Sequence, residues 1–516
     1  MKKIYTKMAP WGPAAFCLVI WGIFLWKRIN YQLDSDMASD LMLGNILSKE
    51  NGILSEQWMY STELRVLNMQ LFYKLIFLIT NNWHVVRCIS SVLLLVVLLI
   101  CFYYMMCQLG EKKAFFWSAP LLIWNYSEIY YHFVSKVQYY IPHMSISFLT
   151  IGMILQYVKS VKRKQKKLLM FLMIILALFA GLGGPRQIIV LYLPILVAAV
   201  FCLALEIKNI KDKKQYVILC AVNFGFSVLG YFINSKILSK KYQFMIWDIH
   251  YKEFSIESVV ASFNGILRTF GYSDGKIFSF ATVLNGCMFI VVVMMAYSIY
   301  ENIQRKKTRT YSGRLLSFYL FFAVLINILL YAFTDMPYAD RYFLPIMIFA
   351  IPVTAITIGE IQCNLQVKKF ISVFVLLMVY GCGVYKLHAW AKVDATVQIR
   401  EVTGYLLDNN VVNGYATFWN GNIMTELSNG EVEVWVTSCT EDIFHRNDNI
   451  YKWLQVKDHI DRKPDGKIFV LLTQEEYAAC PQELLSQEKP AFSNTNYILY
   501  IFNSYDEFAE LLEEPT

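Results

Sequence analysis

The chain has 516 residues, of which 57% are apolar and only 17% charged, with a mean hydropathy of +0.42. A soluble domain carries roughly 25% charged residues, and single hydrophobic cores stop growing near about 250–300 residues. The composition therefore argues against a soluble enzyme, a disordered chain or a disulfide scaffold, and for a polytopic membrane protein. Nor does the net charge of +8 point to nucleic acid, because it is divided unevenly: residues 1–393 carry 39 Lys/Arg against 18 Asp/Glu, residues 394–516 carry 8 against 21.

A crossing helix needs about 20 mostly apolar residues. Eleven stretches qualify, near 11–29, 84–107, 114–133, 141–158, 168–184, 187–206, 215–233, 277–300, 315–334, 342–359 and 370–388. With Lys2, Lys3 and Lys7 placed inside, the even-numbered connections fall in the cytoplasm. Those connections are the basic ones: KSVKRKQKK (159–167), KNIKDKK (208–214), ENIQRKKTRTYSGR (301–314) and Lys368-Lys369. Lys27 and Arg28, at the outer end of the first span, are the local exception. No small-residue cleavage site follows Trp26, so the first span is expected to be retained. The expected protein is a multi-pass plasma-membrane protein with a cytoplasmic N-terminus and an extracytoplasmic C-terminal domain. Two long outer loops are expected, about 30–83 and 234–276.

In the first loop, Met37, Leu41, Ile46 and Leu47 recur at helical spacing, and the stretch from Glu63 to Ile79 is apolar on one broad face. Two amphipathic helices on the outer membrane surface are predicted. Treating 64–82 as a further span would turn every later basic connection outward.

From about 395 the pattern changes. GYATFW (414–419), EVEVWV (431–436), KIFVLL (467–472) and YILYIF (497–502) favour strands, and NIMTEL (422–427), RNDNIYKWLQV (446–456) and SYDEFAELL (504–512) favour helices. Asn429-Gly430 and Asp465-Gly466 supply turns ahead of strands. Residues 1–393 are thus read as a transmembrane domain and 394–516 as a small α/β domain, most simply a cap or acceptor-docking unit. Of the eleven cysteines only Cys439 and Cys480 lie in that tail; pairing and free thiols are both open.

Candidate chemistry gathers at the outer face. Asp34 and Asp36 follow the first span, and Asp40 lies four residues on. An aspartate there is a natural helix cap, but three carboxylates exceed what a cap needs. Burial and mutual repulsion would raise their proton affinity, which suits a general base. Arg186 follows Gly-Leu-Gly-Gly-Pro (181–185), Arg341 lies in DMPYADRYFLP (335–345), and Arg65 lies in YSTELRVL (60–67). Each suits phosphate oxygens, against an alternative of pairing with a nearby acid such as Asp340 or Glu63.

Taken together, the aspartate pair after span one, the loop helices, Gly-Gly-Pro-Arg, the late Asp-Arg-Tyr-Phe-Leu-Pro and the outer C-terminal domain resemble GT-C-type membrane glycosyltransferases. The likeness is to enzymes that use polyprenyl-phosphate sugars, such as the protein-mannosyltransferase and aminoarabinose-transferase groups. The string DSDMASDLMLGNIL (34–47) with its continuation to NNWHVVR (81–87) also resembles uncharacterised bacterial relatives. The resemblance implies a first-loop acid as base, Asp36 or Asp34, with Arg341 and Arg186 on the lipid phosphate. It further implies Tyr342 against sugar or lipid, and Glu63 and Arg65 in supporting places. The implied reaction is an inverting transfer from a polyprenyl-phosphate sugar donor to a hydroxyl of a glycan, lipid or protein acceptor, amid membrane lipids and without nucleic acid. The resemblance leaves metal dependence open: some members of the superfamily use a divalent metal and others do not, and Asp34, Asp36 and Asp40 could hold one. Rival readings are a lipid-linked glycan flippase or transporter, a scaffold for surface-polymer assembly, and a polymer ligase.

Overall fold

The computed structural model describes the chain except for residues 1–8, 125–126, 206–209, 247, 273–292, 294–295, 302–309, 361–363, 445–448, 481–484, 486–487 and 513–516. Among the described residues, seven helical stretches are long and apolar enough to cross a membrane. They take in all or most of α1 (Gly12–Arg28), α4 (Trp83–Leu109), α5 (Ile141–Lys159), α6 (Arg163–Leu182), α8 (Ile210–Lys236), α10 (Tyr311–Phe333) and α11 (Ala350–Glu360), the last preceded by shorter helical turns from Asp340. A shorter apolar helix, Ile188–Ala204, includes α7 (Leu193–Ala204), and α12 (Leu365–Trp390) covers the last expected span. The chain is a multi-pass membrane protein.

One expected span is not a continuous helix. Residues 114–133 break into Phe115–Ser118, Ala119–Leu122 and Glu128–Tyr130, followed by π-type turns over Tyr131–Lys136. Pro120, which cannot donate a helical hydrogen bond, sits at the first break. Ser127 caps a fresh start by accepting from the Tyr130 amide at 3.0 Å. Most of the span expected near 277–300, and most of the basic 301–314 connection, lies outside the described residues; residues 296–300 are helical.

Small residues set the closest helix crossing. A Cβ on Gly181 of α6 would collide with the Ser227 carbonyl of α8, and one on Gly230 with the Leu178 carbonyl, so the backbones touch directly. Asn234 of α8 then donates to the Leu182 carbonyl at 2.8 Å, tying α8 to the end of α6.

The first outer loop holds two helices, α2 (Ser35–Lys49) and α3 (Gln70–Phe77), where two were expected. Residues 63–69 are not helical, so the second helix is shorter than predicted. The second still shows an exposed apolar edge, with Leu75, Leu78 and Ile79 open, but α2 does not simply lie on a surface. Most of α2 is buried, including polar Ser35, Ser39 and Asp40, because α3 covers one side and the C-terminal domain another. Gly44 permits the contact with α3: a Cβ there would overlap Tyr73 Cβ.

The C-terminal domain begins with α13 (Val397–Asp408), which the sequence reading did not anticipate, followed by β2 (Asn413–Thr417), α14 (Phe418–Leu427) and β3 (Glu433–Thr437). After β4 (Gln455–Val456) come β5 (Ile468–Thr473), β6 (Phe492–Ser493) and β7 (Tyr497–Phe502). The sheet order is β3-β2-β5-β7-β6, with β2 parallel to β3 and β5, and the β7 pairings antiparallel. The helix expected over 446–456 is absent from its described part. There β4 pairs instead with β1 (Trp58–Met59) of the first outer loop. Tertiary strand pairing overrides a weak helical pattern in that segment. Asn429 and Gly430 adopt φ of 55° and 85° in the expected turn, and Gly466 φ of 72°. Cys439 is exposed and Cys480 buried, both as free thiols.

Arg28, the charge exception of span one, has a local role. It donates to the Val393 carbonyl at 3.0 Å and lies over the Tyr31 ring, which Arg400 also contacts.

Candidate active site

Four helices present their ends to one cavity of about 280 Å³. Near the start of α5 lies His143, just beyond the end of α6 lies Arg186, from the last turns of α8 come Tyr231 and Asn234, and after α10 comes Met336. The opposite ends of α5, α6 and α8 lie in or beside the basic connections 159–167 and 208–214. At about 1.5 Å per residue, the 20 residues of α6 separate cavity from basic end by about 30 Å.

The two long loops close the cavity together. Tyr60 donates its amide to the Gln243 carbonyl at 2.9 Å, and Met245 to the Ser61 carbonyl at 3.1 Å. Ser61–Arg65 therefore lie beside Phe244 and Ile246 in the wall. From the C-terminal domain come Trp453 and Leu454. Leu454 holds φ of 47°, a strained value for a branched side chain, and its carbonyl accepts from Asn422 Nδ2 at 3.0 Å.

Of the side chains singled out from sequence, six line this cavity: Asp36, Glu63, Arg65, Arg186, Arg341 and Tyr342. Asp34 does not. It is the N-cap of α2, accepting from the Met37 amide at 2.9 Å, and its other oxygen lies 2.8 Å from Lys136 Nζ.

Two of the arginines are already paired. The Gly183-Gly184-Pro185 turn, with Gly184 at φ of 127°, sets Arg186 against Glu63, Nε to Oε1 at 2.5 Å. Burial pushes the Glu63 carboxyl up, but Arg186 and His143 outweigh it and hold it at about 2. Arg65 pairs with the buried Asp40 and lies 4.4 Å from the Tyr139 ring centroid.

Arg341 differs. Its neighbour in sequence, Asp340, accepts from Tyr338 at 2.7 Å and from Arg268 at 3.2 Å instead. Gly265 allows that approach, since a Cβ there would strike the Tyr338 hydroxyl. Among the described residues no carboxylate lies within ion-pair distance of the Arg341 guanidinium. It rests between rings, 5.0 Å from the Phe133 centroid and 5.4 Å from that of Tyr342. Tyr342 also faces Arg186, at 4.9 Å, and so bridges the two guanidiniums.

Asp36 is the acidic counterpart. Among the described residues its carboxylate has no hydrogen-bonding or ion-pairing partner. Burial raises its proton affinity, Asp34 raises it further, and Arg65, Arg341 and Lys136 pull it back without restoring the ordinary value. With the internal pairs cancelled, the cavity offers, among the described residues, one unpaired carboxylate and one unpaired guanidinium.

Asp34, Asp36 and Asp40 do not form a ligand set: Asp34 faces Lys136 and Asp40 faces Arg65. Among the described residues no three His, Cys, Asp or Glu side chains are grouped as a metal site requires.

Sequence reasoning missed Lys136, Tyr139, Tyr140 and His143, because 114–133 read as a span running into a short connection. Lys136 was a signal: a lysine in an otherwise lysine-poor outer connection.

No protein-family model matches the chain, and no curated protein matches it. Among solved structures, the crystal structure of ArnT from Cupriavidus metallidurans bound to undecaprenyl phosphate is similar over 95% of this chain and 97% of that one. Its TM-score is 0.55 at 10% identity. An Archaeoglobus fulgidus oligosaccharyltransferase in complex with zinc and sulfate covers 90% of this chain and 69% of its own, at TM-score 0.48 and 11% identity. At such identities the likeness is one of fold, and the chain has the fold of a GT-C-type membrane glycosyltransferase.

Proposed function

We propose that this protein transfers a sugar from a polyprenyl-phosphate donor to an acceptor hydroxyl at the outer face of the plasma membrane. The single observation that carries the reading is that one cavity holds the Asp36 carboxylate and the Arg341 guanidinium, each unpaired among the described residues. The ArnT-like fold, in a structure bound to undecaprenyl phosphate, supports a polyprenyl-phosphate donor over the flippase or scaffold readings.

In this reading Asp36 accepts the proton of the acceptor hydroxyl as its oxygen attacks the anomeric carbon. The bond from that carbon to the phosphate oxygen breaks, its electron pair leaves with the phosphate, and the configuration inverts. Arg341 holds the charge that develops on the departing phosphate, and Arg186 adds a second donor set whose charge Glu63 moderates. Tyr342, lying against both guanidiniums, forms an apolar wall beside the leaving group. A raised proton affinity suits a base that works near neutral pH, since proton transfer is most effective when its pKa approaches the working pH.

Orientation follows from the basic connections, which mark cytoplasmic ends. The cavity lies at the opposite ends of α5, α6 and α8, which supports an outer cavity and C-terminal domain and a cytoplasmic N-terminus.

The test uses purified protein in liposomes carrying polyprenyl-phosphate sugars of differing headgroup and a panel of glycan, lipid and peptide hydroxyl acceptors. One polyprenyl phosphate released per sugar transferred, with the product anomer opposite to the donor's, is expected. Donor consumption without transfer, or retained configuration, contradicts the mechanism.

A further inference from the structure

Asp36 sits in the first turn of α2, and something must fix that turn against the cavity. Asp34 caps it from below. From above, its position is set by a residue far away in sequence. Arg87, in the second turn of α4, is 1% exposed, and so is essentially sealed from water. Its guanidinium is fully engaged in three directions. Nε and Nη2 reach the two carboxylate oxygens of Glu426 on α14, the latter at 2.5 Å, and Glu426 itself is 3% exposed. Nη2 also donates to the Met37 carbonyl at 2.8 Å, and Nη1 approaches the Tyr73 hydroxyl of α3 at 3.3 Å. Met37 is the residue next to Asp36. A second contact runs parallel, Asn422 Nδ2 of α14 to Ser39 Oγ of α2 at 2.7 Å.

We infer that the Arg87–Glu426 pair is a positioning device, through which the C-terminal domain fixes the Asp36 turn of α2 against the membrane-embedded part. This rests on reading Asp36 as the base. Buried ion pairs contribute little net stability compared with apolar residues of similar volume, because both charges lose their water. The bidentate fork does fix geometry, since it forms only in one relative placement of three elements. Asp36 itself is faced by Asp34, Lys136, Arg65 and Arg341, and by the hydroxyls of Tyr139 and Tyr451, the last from the C-terminal domain. Loosening the turn admits water to that set.

The test is the double variant Arg87→Met/Glu426→Met, which removes both buried charges together and so is expected to fold with a near-native thermal midpoint. Misplacing a catalytic group by about 1 Å costs up to about a hundredfold, so kcat is expected to fall roughly tenfold to a hundredfold, with donor KM changed less than about threefold. The acid limb of the rate profile is expected to slide towards the ordinary aspartate range as the carboxylate becomes wetter. Arg87→Lys keeps the charge but not the fork, and carries the same expectation where the double variant accumulates poorly. A folded variant with wild-type kcat, or one whose kcat falls while the acid limb stays put, overturns the inference. Asp36→Asn measured alongside separates the two readings. If it is inactive while the double variant is normal, only the clamp fails; if it is fully active, the base assignment fails as well.

Discussion

Replacing Glu63 by Gln removes the negative half of the partly buried pair with Arg186, whose side chains are 19% and 22% exposed. In the folded protein the Glu63 carboxyl is held at about 2 against an ordinary 4.5. At about 1.4 kcal/mol for each tenfold change in proton affinity, the charged form contributes roughly 3 kcal/mol to stability at neutral pH. Because the folded-state value is depressed, this contribution is fully present above 4.5 and is lost as pH falls through about 2; under about half remains near pH 3. Leaving the partly buried Arg186 uncompensated adds to the loss, so Glu63→Gln is expected to cost about 3–5 kcal/mol at pH 7. The assay is unfolding of detergent-solubilised protein, followed by tryptophan fluorescence, for wild type and variant from pH 7 to pH 3. The gap between the two should narrow steadily below pH 4.5. A gap under about 1 kcal/mol at pH 7, or one that does not vary with pH, refutes the assigned pairing.

Arg341→Ala should raise donor KM by about tenfold or more with protein level unchanged, since hydrogen bonds to charged groups are worth roughly 1.5–3 kcal/mol; turnover at limiting donor reads this out. Asp34→Asn keeps a capping side chain but removes a charge that raises the Asp36 value, so the acid limb of kcat/KM should shift to lower pH, and an upward shift or none contradicts the electrostatic account. If the C-terminal domain is outside, the exposed Cys439 should react with a membrane-impermeant maleimide in intact cells and lose that labelling in Cys439→Ser.

Much of this was readable from sequence because the strongest patterns are local. Long apolar runs define crossing helices, and alternating branched and aromatic residues define β2, β3, β5 and β7 within a residue or two. The acidic and basic residues around the cavity stood out because charges near membrane ends are few. What stayed hidden depends on contacts between distant segments. The pairing of β1 with β4 gives residues 455–456 a strand partner nearly 400 positions away. The exchange that gives Asp340 to Arg268, and leaves Arg341 without a carboxylate partner among the described residues, cannot be seen from adjacency, which suggested the opposite. Burial of α2 was equally invisible: its apolar spacing fits a surface helix, whereas α14 covers its other side.

In liposomes with saturating polyprenyl-phosphate sugar and acceptor, single-turnover transfer by Asp36→Asn should be slower than wild type by about a hundredfold to ten-thousandfold, the range a positioned base supplies. Donor binding, measured by equilibrium partition, should be unchanged within about threefold, since the phosphate contacts remain. Transfer at the wild-type rate by folded Asp36→Asn would contradict the account.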